Sequence, residues 1–206
     1  MIPKIEFVYS WIYNQTFFML LKREWKLEYL KPSLRYTKKL EKEWKKIDKK
    51  VLKEMENVTG MRWKDKEITC FLVNHCVHSF SWPLTVIISG GEGKFRRVDH
   101  VIDILVHELI HNLFSDNGVY KLDKQLGFDK EFKDELRTTK AHIYLHALHK
   151  QLYLKFFNKR RLVRDIASAK YKSMPGYDRA WEIVEQYGHE NLLKRLRNAI
   201  KKNKSA

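Results

Sequence analysis

The stretch LVHELIHNLF, residues 105–114, places the motif His107-Glu108-Leu109-Ile110-His111 inside an apolar helical pattern. The apolar positions of this pattern are Val101, Ile104, Leu105, Leu109, Leu113 and Phe114. They recur with the period of an α-helix and predict a helix over residues 98–114 that packs against a core. Positions i and i+4 lie one turn apart on one helix face, so His107 and His111 can reach the same metal ion. Glu108 projects beside them.

The segments before this helix predict a small sheet. Residues 67–89 contain EITCFLVNHCVHSF and PLTVIIS, which are rich in β-branched and aromatic residues and are separated by Pro83 into two strands. Gly90, Gly91 and Gly93 predict the loop that ends them. The apolar spacing over 33–55 predicts a helix, whereas the loose alternation over 4–20 fits a strand or a short mixed segment.

The segments after the motif predict helices. Asn117-Gly118 is typical of a helix end, and Asp129 is a good N-cap for a long helix that reaches Phe157. Further helices are predicted over 162–172, with a stop at Met174-Pro175-Gly176, and over 177–187 and 190–201 around Gly188.

We therefore predict a mainly helical α+β fold, with one domain over 1–158 and a helical C-terminal extension over 159–206. The domain comprises an N-terminal helical region (1–60), the sheet (67–89) and the site helices (98–157).

A third metal ligand is expected on the long helix, because a tetrahedral catalytic zinc takes three protein ligands and a water. The residues that share one face of that helix are Glu135, Thr138, His142, His146, His149 and Tyr153. Glu135 and His142 are two turns apart, about 10 Å along the axis, so only one of them is expected to bind. We favour His142, which lies mid-helix beside an apolar stripe, and keep Glu135 and His146 as alternatives. The unused members can orient ligands or stabilise an oxyanion, and His146, His149 and Tyr153 are the candidates for oxyanion stabilisation.

The chemistry of this residue set is that of metal-assisted hydrolysis. Zinc (Zn²⁺) favours neutral imidazole ligands and lowers the pKa of its bound water, and a neighbouring carboxylate can take the proton of that water. The motif helix after a strand pair, followed by a second metal-facing helix, resembles the zincin metallopeptidases over residues 80–150. The metzincin extension HExxHxxGxxH is absent.

The resemblance implies His107 and His111 as zinc ligands and Glu108 as general base. It also implies that Pro83–Ser89 forms the rim strand that pairs with a substrate backbone. We expect a zinc metallopeptidase that hydrolyses a peptide or protein substrate.

The charge of the chain leaves a second interpretation open. In 206 residues there are 41 Lys and Arg against 25 Asp and Glu, a formal net charge of +16. Such a balance attracts anions, and weak nucleic-acid binding is one expected consequence. The alternative function is a basic nucleic-acid-associated protein, either a DNA-linked protease or a non-catalytic binding module. Two cysteines and an interrupted apolar N-terminus predict a cytoplasmic protein with no membrane partner.

Overall fold

The computed structural model describes residues 1–90, 94–170 and 175–204, with the side chain of residue 204 excepted. The strands are β1 (Lys4–Val8), β2 (Glu67–Val73), β3 (Phe80–Ser81) and β4 (Leu84–Ile87). The helices are α1 (Trp11–Leu20), α2 (Leu30–Trp44), α3 (Asp48–Thr59), α4 (Val98–Asp116), α5 (Asp123–Leu126), α6 (Arg137–Phe156), α7 (Lys159–Ala169), α8 (Tyr177–Tyr187) and α9 (His189–Lys204). The predicted mainly helical α+β fold is confirmed.

The chain forms two compact units. The first comprises Met1–Lys49 and Asp65–Asn112, and the second comprises Lys50–Lys64 and Leu113–Ala206. The predicted division into residues 1–158 and 159–206 stays a prediction. None of the helices in the described part of the chain combines the length and apolarity needed to cross a bilayer.

The sheet of the first unit has the strand order β1-β2-β4-β3. β1 pairs in parallel with β2, β2 pairs in parallel with β4, and β3 pairs antiparallel with β4. All four residues of β4 are buried, as is typical of an interior strand. The expectation that Pro83–Ser89 is a rim strand free to pair with a substrate backbone is therefore wrong, because β4 is paired on both sides. Leu84 and Thr85 pair with Ser81 and Phe80, and the carbonyl of Ile88 accepts a hydrogen bond from the Arg96 amide.

Buried asparagines attach α1 and α2 to the sheet. The Asn14 amide donates to the Leu72 carbonyl at 3.0 Å, while its Oδ1 accepts from the Asn74 backbone N–H at 2.7 Å. Asn74 in turn donates to Ser33 Oγ on α2 at 3.1 Å. Each buried amide group thus gains a partner, which offsets the cost of its burial. The ambiguous segment 4–20 consists of a strand followed by a helix, whose N-cap is Ser10.

Two predicted segments of the first unit differ from the structure. The helix predicted over 33–55 is two helices, because the chain turns between Trp44 and Asp48. The sheet segment 67–89 contains three strands rather than two, with residues 74–79 outside regular strand structure. Of the predicted glycine loop, only Gly90 lies within the described residues, and its N–H donates to the Lys94 carbonyl.

The second unit is helical, and α6 packs against α7, α8 and α9. The predicted long helix starts later than expected, at Arg137 instead of Asp129. Gly127 has a φ of +79°, and residues 127–134 form turns in which the Phe132 N–H donates to the Gly127 carbonyl. Burial of Phe128 and Phe132 accompanies these turns, so tertiary packing overrides the local helical pattern. Glu135 therefore precedes α6 and is not on its face.

The C-terminal helices lie close to their predicted positions. The helix predicted over 162–172 is α7, which begins earlier, after Asn158. Gly188 separates α8 from α9 with a φ of +76°, a conformation that favours glycine. Gly118 ends the motif helix in the same way, with a φ of +69°. Met174 of the predicted stop lies outside the described residues, whereas Pro175 and Gly176 precede α8.

Candidate metal centre

Three histidines of the described chain lie close enough to share one metal ion. One ring nitrogen from each of His107, His111 and His142 lies within 4.8 Å of those of the other two. The structure thus brings together the two motif histidines and the residue favoured from the sequence as third ligand. This group can bind a metal ion.

The helix α4 presents the two motif histidines from a tightly packed position. Val101, Leu105 and Leu109 are completely buried, so the apolar face holds the helix in place. The rings of His107 and His111 are 5.1 Å apart between centroids, with 69° between their planes. His107 is buried and His111 is half-buried, so the pair faces a site with restricted access to solvent.

A polar residue that follows the motif attaches α4 to the sheet of the first unit. The Asn112 amide donates to the Ser81 carbonyl of β3 at 3.1 Å, and Asn112 is buried. This contact fixes the helix turn that carries His111. Asn112 was not predicted as part of the site, although a polar residue inside an apolar helical pattern is a signal that could have indicated it.

The orientation of His142 is set by its own helix. Its Nδ1 lies 2.7 Å from the Thr138 carbonyl oxygen, one turn earlier. With the proton on Nδ1 this contact is a hydrogen bond, and the lone pair is then on Nε2, which is the usual arrangement of a metal-ligating histidine. The ring of Tyr177 packs against the imidazole at 4.0 Å between centroids. The backbone of α6 and the first residue of α8 therefore restrain the ring.

A close approach between two helices places Tyr177. Gly176, with a φ of +98°, precedes α8, and its carbonyl accepts a hydrogen bond from Thr139 Oγ1 at 3.2 Å. A Cβ atom at Gly176 would lie 2.5 Å from that hydroxyl oxygen. Only glycine fits between α6 and the start of α8 without movement of either. Neither Gly176 nor Tyr177 was predicted as part of the site.

The chemistry of the donor set fits a zinc ion. Three imidazole nitrogens leave a fourth tetrahedral position open, as in catalytic zinc sites. Calcium and magnesium prefer oxygen ligands, which this group lacks, whereas imidazole suits zinc and its first-row neighbours. The residues His107, His111 and His142 therefore fit the group that the resemblance implies.

Glu108 is buried on α4, between the two motif histidines in sequence. The negative charge of Glu108 acts on the thiol of Cys70 in β2. Burial raises the pKa of the Cys70 thiol far above its ordinary value, and the charge of Glu108 adds to that rise. A carboxylate with little exposure to water is in the environment that general bases use.

The other predicted site residues are not members of this group, although the ring of His146 is 5.3 Å from that of His142 between centroids. Glu135 Oε1 accepts two hydrogen bonds from Arg179, both at 2.9 Å, and Glu135 does not belong to the group of three histidines. His146 is completely buried and stacks on Trp181. His149 faces Asp165, with 3.6 Å between Nδ1 and Oδ2. A role of His146 in oxyanion stabilisation stays a prediction.

Comparisons with known proteins identify no relative of this chain. No protein-family model matches this chain, and no curated protein or solved structure matches it at a significant level.

Proposed function

We propose that this chain is a zinc-dependent metallopeptidase. The observation that carries the proposal is the convergence of ring nitrogens from His107, His111 and His142, with Glu108 next to the first of them. Such a constellation combines a metal site that has an open position with a general base, and metal-assisted hydrolysis needs both. The zincin resemblance remains part of this proposal, supported by a motif helix that follows a sheet and by a third ligand from a later helix.

In this proposal each residue has a separate task. A bound zinc ion supplies Lewis acidity, which polarises a substrate carbonyl and lowers the pKa of water. His107, His111 and His142 hold the ion through neutral imidazoles. Glu108 accepts the proton of the attacking water and delivers it to the leaving amine. Its burial strengthens these electrostatic interactions, because little water surrounds it to screen the charge.

The test compares metal content with hydrolysis in the same preparations. We expect about one zinc per wild-type chain by elemental analysis, and cleavage of a fluorogenic peptide library. Glu108→Gln is expected to retain zinc and to lose roughly 10²–10⁴-fold in rate, because general acid–base catalysis contributes that factor. The exposed Glu190→Gln is the matched control and should keep both properties.

Two results would contradict the proposal. A chain that takes up no zinc at micromolar concentration would exclude the metal centre and the peptidase together. If the chain binds zinc but cleaves the library no faster than Glu108→Gln, the metal centre is supported and the peptidase activity is excluded.

A further inference from the structure

The exposed side of α9 is strongly basic. Between His189 and Lys204 the helix carries six basic residues and one acidic residue. Its buried side consists of apolar residues such as Leu192, Leu196 and Ile200, which pack into the second unit. The charged side chains that the structure describes thus lie on the face that the unit leaves in contact with solvent.

A hollow lies along this face. We call it the α9 hollow and define it by its polar lining: Gln125, Asn191, Lys194, Arg195, Asn198 and Lys202. Every charged residue of the lining is basic, and Gln125, Asn191 and Asn198 add amide donors. A second hollow, lined in part by Arg197 and Lys201, adjoins it at Asn198 and extends the basic surface. Ammonium, guanidinium and amide N–H groups are the donors that proteins use for phosphate.

Lys194 and Lys202 are the cations of the hollow that a ligand can use. Arg195 already forms an ion pair with Glu131. Lys194 and Lys202 are exposed, and within the described ranges 1–90, 94–170 and 175–204 neither ammonium has a carboxylate partner. An exposed lysine without a carboxylate partner loses no ion pair when it binds an anion.

The basic helix α2 differs from α9 in that lysines near its C-terminal end are paired with carboxylates. α2 also exposes lysines, but carboxylates are interspersed among them. Glu41 and Glu43 of α2 pair with the following Lys45 and Lys46, at 3.2 Å and 2.6 Å. On α2, neighbouring carboxylates therefore neutralise part of the positive charge of the lysines. The α9 hollow has no acidic residue in its lining. The positive charge of the chain is therefore more available at α9 than at α2.

The spacing of the hollow fits a polymer of phosphates. Lys194, Asn198 and Lys202 are four residues apart and form one ridge, which extends about 12 Å at 1.5 Å per residue. One nucleic-acid strand carries a charge about every 3.4 Å along a duplex axis, so this ridge spans about three phosphates. We propose that the α9 hollow binds the phosphate backbone of a nucleic acid. The proposal is independent of the metal centre.

The test measures the salt dependence of binding in the full chain. A fluorescein-labelled 20-base-pair duplex DNA is titrated with protein between 50 and 200 mM salt, and anisotropy is recorded. The hollow variant K194Q/K202Q and the control K38Q/K39Q on α2 each remove two exposed positive charges. For the hollow variant we expect the slope of log affinity against log salt to be smaller in magnitude by about 1.8, since duplex DNA contributes about 0.9 per phosphate contact.

A second variant keeps both lysines. Asn198→Asp introduces a carboxylate into the ridge and is expected to weaken DNA binding at least tenfold, with an unchanged thermal unfolding midpoint. Equal losses in the hollow and control variants would overturn the proposal, because net charge alone would then explain binding. Absence of binding at 50 mM salt would also overturn it. So would equally tight binding of labelled polyglutamate of the same charge, which would indicate an acidic protein partner.

Discussion

The indole ring of Trp181 lies parallel to the imidazole of His146, with 4.3 Å between centroids and 12° between planes. Both side chains are buried, and the contact joins α8 to α6 one turn beyond His142. Stacked rings of this kind contribute more than the area they bury. The pair therefore helps to hold α8, and with it Tyr177, against the helix that supplies the third histidine.

We expect Trp181→Ala to lower the free energy of unfolding by about 3–5 kcal/mol, as for other buried tryptophans. His146→Ala should also lower it, because the imidazole is completely buried. Denaturant unfolding measures both, and Trp181→Phe should recover part of the loss. A His146→Ala variant with wild-type stability but strongly reduced peptidase rate would instead support a catalytic role for His146.

The third ligand can be identified by its effect on metal content. His142→Ala should lose most of the bound zinc, because two imidazoles remain where catalytic sites use three protein ligands. Glu135→Ala should retain it, since the Glu135 carboxylate is paired with Arg179. Elemental analysis of both variants after dialysis distinguishes them. If only Glu135→Ala loses its zinc, Glu135 and not His142 is the third ligand.

The approach of α8 to α6 can be tested with two glycines. Gly118→Ala places a side chain at a φ of +69° where no described atom lies within 4 Å, and should cost about 1–2 kcal/mol. Gly176→Ala meets the Thr139 hydroxyl as well, and should cost a further 1–3 kcal/mol or so. Urea unfolding measures the difference. Equal costs would show that the Thr139 side chain or α8 moves to accommodate the methyl group.

The two cysteines should react very differently with iodoacetamide. Cys70 is completely buried and Cys76 is half-buried, so the folded chain should take up one label, on Cys76. Burial raises the pKa of Cys76, which leaves less thiolate at any given pH. Its labelling rate should therefore continue to rise above pH 8.5 or so, where an ordinary thiol is half ionised.

Mass spectrometry counts the labels, and Cys76→Ser is the control that should remain unlabelled until denaturant is added. Labelling of Cys70 in the native chain would show that β2 opens readily.

The elements that the sequence predicts well are those with strong local signals. The apolar period of the motif helix and the glycines at 118 and 188 locate α4, α8 and α9 within a few residues. The start of α6 could not be found in this way. Asp129 is a good N-cap by type, but Phe128 and Phe132 gain more from burial in turns than from a helical continuation.

The site was predictable only in part, for a geometric reason. The spacing of His107 and His111 fixes their common face, because both are on one helix. The membership of His142 in the group could not be derived from that spacing, because His142 is on a different helix, and the restraint by Tyr177 depends on a glycine 34 residues after His142. Distances between separate elements are set by packing, which a helical period does not encode.

The contact between His142 Nδ1 and the Thr138 carbonyl has a consequence for how this site can change. A carbonyl oxygen of the main chain is present whatever residue occupies position 138, and it does not titrate. Substitutions there can alter the hydroxyl or the methyl group without removing the acceptor. Helical geometry therefore sets the tautomer of the His142 imidazole, and substitutions of the side chain at position 138 do not change that tautomer.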